Sequence, residues 1–431
     1  MIYRGIICAI LKISISFLYD FNYLCASVEP IGLRIIMKIS KLTLISILTF
    51  LAFTIAFSIS NHAQEAHPSN LPAAQSMQAE ETNPESAKPA EKLNAGKVIM
   101  EHIADSHGWH LWGHTEIPLP VIIYSKARGL TMFMSSELEH GHRAYEGFKL
   151  GEGKVVAVNE TAPVPAEETT VNEEITAGMY DISITKNVMS LFISIALMLL
   201  IFTNVAGAYT RKRKGLAPTG LQNAIEPIIL FVRDEVIKPG IGEKKFEKYV
   251  PYLLTVFFFI WISNLMGLIP VFPGGANLTG NIAVTMTLAI FTFIIVSVSA
   301  NKGYWLHIFA MPGVPKPILI LLTPIEILGV FLRPFVLMIR LFANITAGHI
   351  IGLAFFCLIF IFGENGTGIG LAVSPLSLVF TVFMTTLELL VAFLQAYVFT
   401  MLSAVYIGAA VEEHHHEKGH LAEDAHQESI I

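Results

Sequence analysis

RPFVLMIRLFANITAGHIIG, residues 333–352, sets Arg333 and Arg340 in an otherwise apolar run, with Asn344 and His349 close behind. The run does not stop at its ends. Residues 317–363 form one nearly unbroken apolar stretch and residues 371–411 form another. As helices rising 1.5 Å per residue they would be roughly 70 and 60 Å long, whereas a bilayer core is about 30 Å thick. They must therefore break into shorter spans or lie steeply tilted. Beyond Ala347-Gly348 no loop signal interrupts residues 335–362, which favours steep tilt, and Phe362-Gly363-Glu364-Asn365-Gly366 reads as the turn between the two.

Glu326, Arg333 and Arg340 are spaced seven apart. At 100° per residue they drift only about 20° per step, and Asn344 lies one turn further on, so the spacing predicts a single polar stripe. His349, nine residues past Arg340, points about 180° away from it. A cation inside a membrane costs at least about 2.5–3.5 kcal/mol on insertion scales. A guanidinium cannot escape by losing its proton, so something must offset that charge. A structural partner such as Glu326, or snorkelling to an interface, is the plain reading. On the second long helix Glu388 and Gln395 are also seven apart and share a face. Glu388 in apolar surroundings suits a group that takes up and releases protons. Ala343 and Ala347 beside Arg340 would admit another helix at close range, although ordinary packing explains them equally well.

Working outward, NVMSLFISIALMLLIFTNVAGAY (187–209) reads as a first span, followed by the four cations Arg211-Lys212-Arg213-Lys214. By the positive-inside rule that end is cytoplasmic. Residues 224–242 are amphipathic, with Ile225, Ile228, Ile229 and Val232 on one face, and are expected along the cytoplasmic membrane surface. Further spans are expected at 249–272 and 279–300. The net charge of −6 argues against a nucleic-acid partner. Cys8, Cys25 and Cys357 make no CxxC pair, so neither a disulfide framework nor a zinc ribbon is supported.

The chain before the first span differs in character. Met37 opens a basic front and an apolar stretch that reads as a secretory signal peptide cut after Ala63, which would make residues 1–36 a mis-started leader; an uncleaved anchor is the competing view. Residues 64–98 read as a disordered linker, 99–160 as a small exported domain, 161–186 as a second linker, 187–411 as the membrane domain and 412–431 as a charged cytoplasmic tail. Within the exported domain, residues 117–125 and 129–136 have strand-like content around a turn at Ala127-Arg128-Gly129. Its histidines, His102, His107, His110, His114, His140 and His142, match no strong metal-binding pattern, and no metal site is expected. No GxxxxGK[ST] motif occurs, and no cofactor is expected.

The segment 333–352 resembles the signature segment of the subunit a family of bacterial F-type ATP synthases, in which an Arg is followed by Leu-Phe-small-Asn and later by Ala-Gly and a titratable residue. LQAYVFTMLSAVYIGAA (394–410) and NLMGLIP (264–270) are similar to two more of the family's segments, and together the likeness covers about 187–411. It implies a proton-channel stator subunit of the membrane sector, not catalytic on its own. Its expected partners are the rotor ring of c subunits, the peripheral-stalk b subunits and the rest of the ATP synthase complex, with protons as cargo and lipid around it. The implied setting is the cell inner membrane, with the N-terminal domain periplasmic and the C-terminus cytoplasmic.

The likeness also implies roles. Arg340 would face the rotor carboxylates and block direct proton flow, with Gln395 opposite it. Asn344 would belong to a half-channel, His349 and Glu388 would be a coupled pair, and Glu326 would lie near the exit path. Many bacterial members have Glu at the first position of that pair and His at the second; here they are exchanged. Gly267 stands where many have Asp and Val336 where some have Ser, so Asn264, Asn277 and Asn281 become candidates to line water instead. The expected fold is an all-α polytopic membrane protein with two long, steeply tilted helices against a rotor ring and a small N-terminal extramembrane domain. A sodium-coupled version of the same subunit is one rival. An unrelated secondary transporter is another, but the internal repeats it needs are not visible.

Overall fold

The computed structural model describes residues 95–112, 115–151, 153–161, 163–211, 219–269, 272–311, 314–364 and 366–412. The signal-peptide and leader readings, nearly all of the first linker, Lys212–Lys214, His114 and the charged tail after Glu412 lie outside them.

The described chain begins with α1 (Ala95–Ile103) and a small strand-rich unit. β1 (Gly108–Trp112) pairs with β2 (Thr115–Pro118), and β3 (Pro120–Ser125) pairs with β4 (Gly129–Met134), all antiparallel. The expected first strand is thus split at Leu119, where Pro118 and Pro120 flank it and each lacks the N–H a continuous ladder needs. The turn from β3 to β4 is closed by Ser125 Oγ, which accepts the Arg128 N–H at 3.0 Å, and Gly129 takes the positive φ of 77°. β5 (Arg143–Ala144) pairs with β8 (Val164–Pro165), and β6 (Phe148–Gly151) with β7 (Lys154–Ala157). Val121, Ile123, Phe148, Val155 and Ala157 form the core of this unit.

Residues 161–186 are not a linker. They hold β8, α2 (Glu173–Ala177) and β9 (Met179–Asp181), and β9 pairs antiparallel with β3, Tyr180 opposite Tyr124. Asn172 caps α2 by accepting the Ile175 N–H at 3.0 Å. Composition misleads here because the order comes from pairing with a strand some sixty residues upstream, which local sequence does not reveal.

Among the described residues five helices are long and apolar enough to cross a membrane. They are α3 (Lys186–Arg211), α6 (Val250–Leu268), α7 (Ile282–Ser299), α9 (Lys316–Glu364) and α10 (Thr367–Val411). α4 (Leu221–Phe231) passes through one widened helical turn, Val232–Ile237, into α5 (Lys238–Ile241), and α8 (Lys302–Phe309) precedes α9. The widened turn inserts a residue and re-phases the amphipathic segment. Val232, Val236, Ile237 and Ile241 reach the core, while Asp234 and Glu235 stay exposed. The segment is therefore partly built into the bundle.

α6 is the enclosed helix, with Leu253, Phe257, Phe258 and Ile260 almost fully buried. α9 and α10 keep most of their surface outward. Both are unbroken, despite Pro324 and Pro334 in α9 and Pro375 in α10. With 49 and 45 residues they are about 74 and 68 Å long, and they pack side by side as a hairpin. Glycines set the closest approaches. A Cβ at Gly370 would come within 2.8 Å of the Gly363 Cα, and one at Gly408 would collide with the carbonyl oxygen of Gly240.

The strand-rich unit is joined firmly to the helices. The Lys186 N–H donates to Ser106 O at 2.8 Å, and Asp105 Oδ1 accepts the Asn187 N–H at 3.0 Å. Trp109, 2 % exposed, donates its indole N–H to Gly274 O at 3.2 Å and meets the Phe272 ring edge-on at 5.2 Å. α1 packs against α9.

Candidate functional site

Leu337, Leu341 and Ile345 are buried and set the rotation of α9. With that flank inward, Val336, Arg340, Ala343, Asn344, Ala347 and Ile351 are exposed together. Arg340 thus stands between Val336 and Ala343 on an outward, mostly apolar face, and among the described residues it has no hydrogen-bond or ion-pair partner. The expected single stripe does not hold. Arg333 is half-buried and turned toward the bundle, donating to the Tyr304 hydroxyl at 3.2 Å with its guanidinium 5.7 Å from the centre of the Tyr406 ring. Tyrosines on α8 and α10 that the spacing of α9 alone cannot reveal draw it inward. Glu326 is half-buried and forms no ion pair with either arginine among the described residues.

On the other flank of α9, His349 Nδ1 lies 3.2 Å from Glu388 Oε1, with side chains 15 % and 11 % exposed. Gly348 makes room: a Cβ there would sit 3.1 Å from Glu388 Oε1. Gly267 on α6 closes the other side, since a Cβ there would be 3.7 Å from His349 Nε2 and 3.3 Å from Ala276 O. The imidazole is therefore held between a carboxylate and a bare stretch of α6.

The asparagines behave differently from one another. Asn264 is buried, donates to Ala392 O at 3.2 Å and accepts from Thr279 Oγ1 at 2.5 Å, so both ends of its amide tie α6 to α10 and to the α6–α7 loop. Asn281 caps α7 by accepting the Ala283 N–H at 2.9 Å. Asn277 Oδ1 accepts the Gly280 N–H at 3.0 Å, while its buried Nδ2 has no partner among the described residues. Asn277 thus keeps a buried donor available for water, and the half-exposed Asn281 amide nitrogen likewise has no partner among the described residues. Gln395 is buried on α10, and no hydrogen bond joins it to Arg340 among the described residues. Thr279 and Tyr304 were not singled out by sequence reasoning, because threonines and tyrosines are ordinary in apolar helices.

In the strand-rich unit His107 Nε2 is 3.2 Å from Asp181 Oδ2, and His140 Nδ1 is 2.7 Å from Glu116 Oε2. These are separate pairs and no three metal-ligating side chains converge among the described residues. Burial lifts the Asp105 carboxyl above its ordinary range, against hydrogen bonds from Asn187, Thr185 and Ser106.

These features define a polytopic membrane protein with an all-α membrane part and a small strand-bearing N-terminal domain, carrying an outward arginine without a partner among the described residues and an imidazole–carboxylate pair between its two long helices. Residues 188–408, a little over half of the chain, match the family described as ATP synthase A chain, and the chain belongs to that family. It is 43 % identical over 251 residues to ATP synthase subunit a of Chloroherpeton thalassium, covering 57 % of this chain and 72 % of that one. It is 47 % identical over 247 residues to ATP synthase subunit a 2 of Chlorobaculum tepidum, covering 56 % and 67 %. With ATP synthase subunit a of Chlorobium phaeobacteroides strain BS1 the identity is 45 % over 258 residues, 59 % and 72 % of the two chains. Residues 98–182 match a domain of unknown function (DUF8433). The chain is thus a multi-pass, membrane-sector subunit of a bacterial ATP synthase complex and takes part in its ion translocation.

Proposed function

We propose that this subunit carries protons to and from a ring of rotor carboxylates through two half-channels, with Arg340 between them. The observation that carries this reading is the outward guanidinium of Arg340, which has no partner among the described residues and stands on an apolar face beside Ala343 and Ala347. A charge so exposed to lipid is costly, and a passing carboxylate would offset it.

A rotor carboxylate travels protonated through lipid. Beside Arg340 its ionised form is favoured, and the proton leaves past Glu326 toward the cytoplasm. A new proton arrives through the region of Asn277, His349 and Glu388 from the outside, with Asn344 between that region and Arg340. Gln395 stays with the hairpin near Arg340 as a polar neighbour. Two groups that both bind protons on the inlet side suit protons better than sodium. The fixed cation blocks a direct leak, and each proton that crosses delivers about 2.3 kcal/mol per 100 mV.

ATP chemistry belongs to other subunits, with the c ring and the b subunits as this chain's neighbours in the cell inner membrane. The N-terminal domain is periplasmic and the C-terminus cytoplasmic on this reading. Arg340→Ala is the test: proton-driven ATP synthesis in inverted vesicles should vanish while the complex still assembles. Normal coupled synthesis in that variant would end the proposal.

A further inference from the structure

The sheet β4–β3–β9 has two unlike faces. Val121, Ile123 and Ser125 of its central strand point into the core and are at most 1 % exposed. The opposite face should be polar if water covered it. Instead Leu130 and Met132 are each 61 % exposed, Met134 is 42 %, Tyr124 44 %, Tyr180 39 % and Ile182 37 %. The register makes these one patch: Leu130, Tyr124 and Tyr180 lie in one row across the three strands, and Met132 faces Ile122 in the next. No charged side chain interrupts it. Contiguous apolar surface of this kind marks an interaction site, and among the described residues nothing covers it.

The chain itself indicates the occupant. β9 runs straight on toward the first membrane-spanning helix, with the Ile182 N–H bonded to Ile122 O at 2.8 Å and the Ile184 N–H to Pro120 O at 3.1 Å. Hydrogen bonding to β3 therefore continues to within two residues of Lys186, where α3 begins. At about 3.3 Å per residue, Ile184 is about 7 Å from the end of that span. The polar zone of a bilayer adds some 5–8 Å on each side of its hydrocarbon. The sheet thus starts at headgroup depth; its two tyrosines lie in the row of Tyr180, about 20 Å of extended chain before Lys186, and reach that depth when the sheet lies along the surface, where tyrosine is enriched.

We propose that the outward face of β4–β3–β9 lies on the lipid surface beside α3, burying Leu130 and Met132 at the headgroup–acyl boundary. The sheet then works as a surface anchor, holding the strand-rich unit flat on the membrane next to the α6–α7 loop that Trp109 grips.

The test uses the assembled complex in nanodiscs, its native cysteines replaced by Ala. Leu130→Cys and Met132→Cys are labelled with bimane, and Glu167→Cys serves as an exposed control. Phospholipids doxyl-labelled near the headgroup should quench the first two at least twofold and leave the control unchanged. Quenching of Leu130→Cys and Met132→Cys by aqueous iodide instead would overturn the proposal, because the patch would then face water. Quenching by neither agent would also overturn it, in favour of a protein cover. Should the variants fail to assemble, a diazirine phospholipid can be photolysed with the unaltered complex. Adducts within 120–134 are the expected result, and adducts on α3 with none in 120–134 are the refuting one.

Discussion

His349 and Glu388 face each other across the α9–α10 hairpin, Nδ1 to Oε1 at 3.2 Å, and both are largely closed off from the surroundings. The two side chains are in contact, so the losses caused by removing either one should not be independent. A positioned proton-transfer group typically contributes 100-fold or more. Glu388→Gln should therefore cut proton-driven ATP synthesis at least ~10-fold. His349→Ala added to it should cost little more, because contacting residues are not additive. Synthesis rates of both single variants and the double variant in reconstituted vesicles decide this; simple multiplication of the two losses would refute the coupling.

Gly267 sits where a side chain would meet the far nitrogen of His349, with 3.7 Å from a built Cβ to Nε2. A carboxylate introduced there would reach the imidazole from the opposite side to Glu388. Gly267→Asp should fit after a small shift of Ala276 O, which is 3.3 Å from the same Cβ. In the Glu388→Gln background it should restore synthesis several-fold. ATP formed after an acid–base jump would reveal the recovery, and a double variant no better than Glu388→Gln alone would exclude this inlet geometry.

Asn264 uses both ends of its amide, on Ala392 O and Thr279 Oγ1. Asn264→Leu removes both bonds and leaves a buried hydroxyl and carbonyl without them. Each orphaned group costs about 1–3 kcal/mol, although interhelical bonds in membranes average nearer 0.6. The variant should lower the midpoint for loss of the subunit from the detergent-solubilised complex on heating, while Asn281→Asp, which keeps the cap on α7, should not. Equal heat resistance of Asn264→Leu and the parent would contradict the tie.

Acid should loosen the strand-rich unit through Asp181. Burial alone would raise its carboxyl, but hydrogen bonds from His107 and Ser183, and the His107 imidazole nearby, outweigh it and hold the carboxyl below its usual 3.8. The folded state then prefers the ionised form. The resulting stability is complete above about pH 4 and disappears as the pH falls through the lowered folded value. Asp105 is shifted upward by burial, so its contribution is complete in acid and fades as the pH rises through its raised value. Protection of the β9 amides, taken relative to their intrinsic exchange at each pH, should therefore fall below about pH 4 in the parent, and Asp181→Asn should flatten that dependence. An unchanged acid limb in Asp181→Asn would assign it elsewhere.

The spans were legible because runs of apolar residues near 20 long have few other uses, and the long stretches ending at Glu364 and Val411 proved to be single helices. The opposite headings of Arg340 and His349 follow from 100° per residue alone. What stayed hidden involves partners far away in sequence. β9 was invisible because it is ordered by β3, and Arg333 left the common stripe because Tyr304 and Tyr406 draw it inward. The widened turn at Val232–Ile237 was equally hidden, since one inserted residue leaves composition unchanged and alters only phase.

Gly240 and Gly408 bring bare backbone against bare backbone near the foot of α10, and Gly363 and Gly370 do the same at the hairpin tip. Contacts of that kind lack the compliant layer that side chains normally supply. A sideways load on α10 would therefore be shared at once with α5 and α9 instead of being absorbed by rotamer changes. On the proposed reading of a stationary part beside a turning ring, such stiffness would send the reaction force into the frame with little lost to local give.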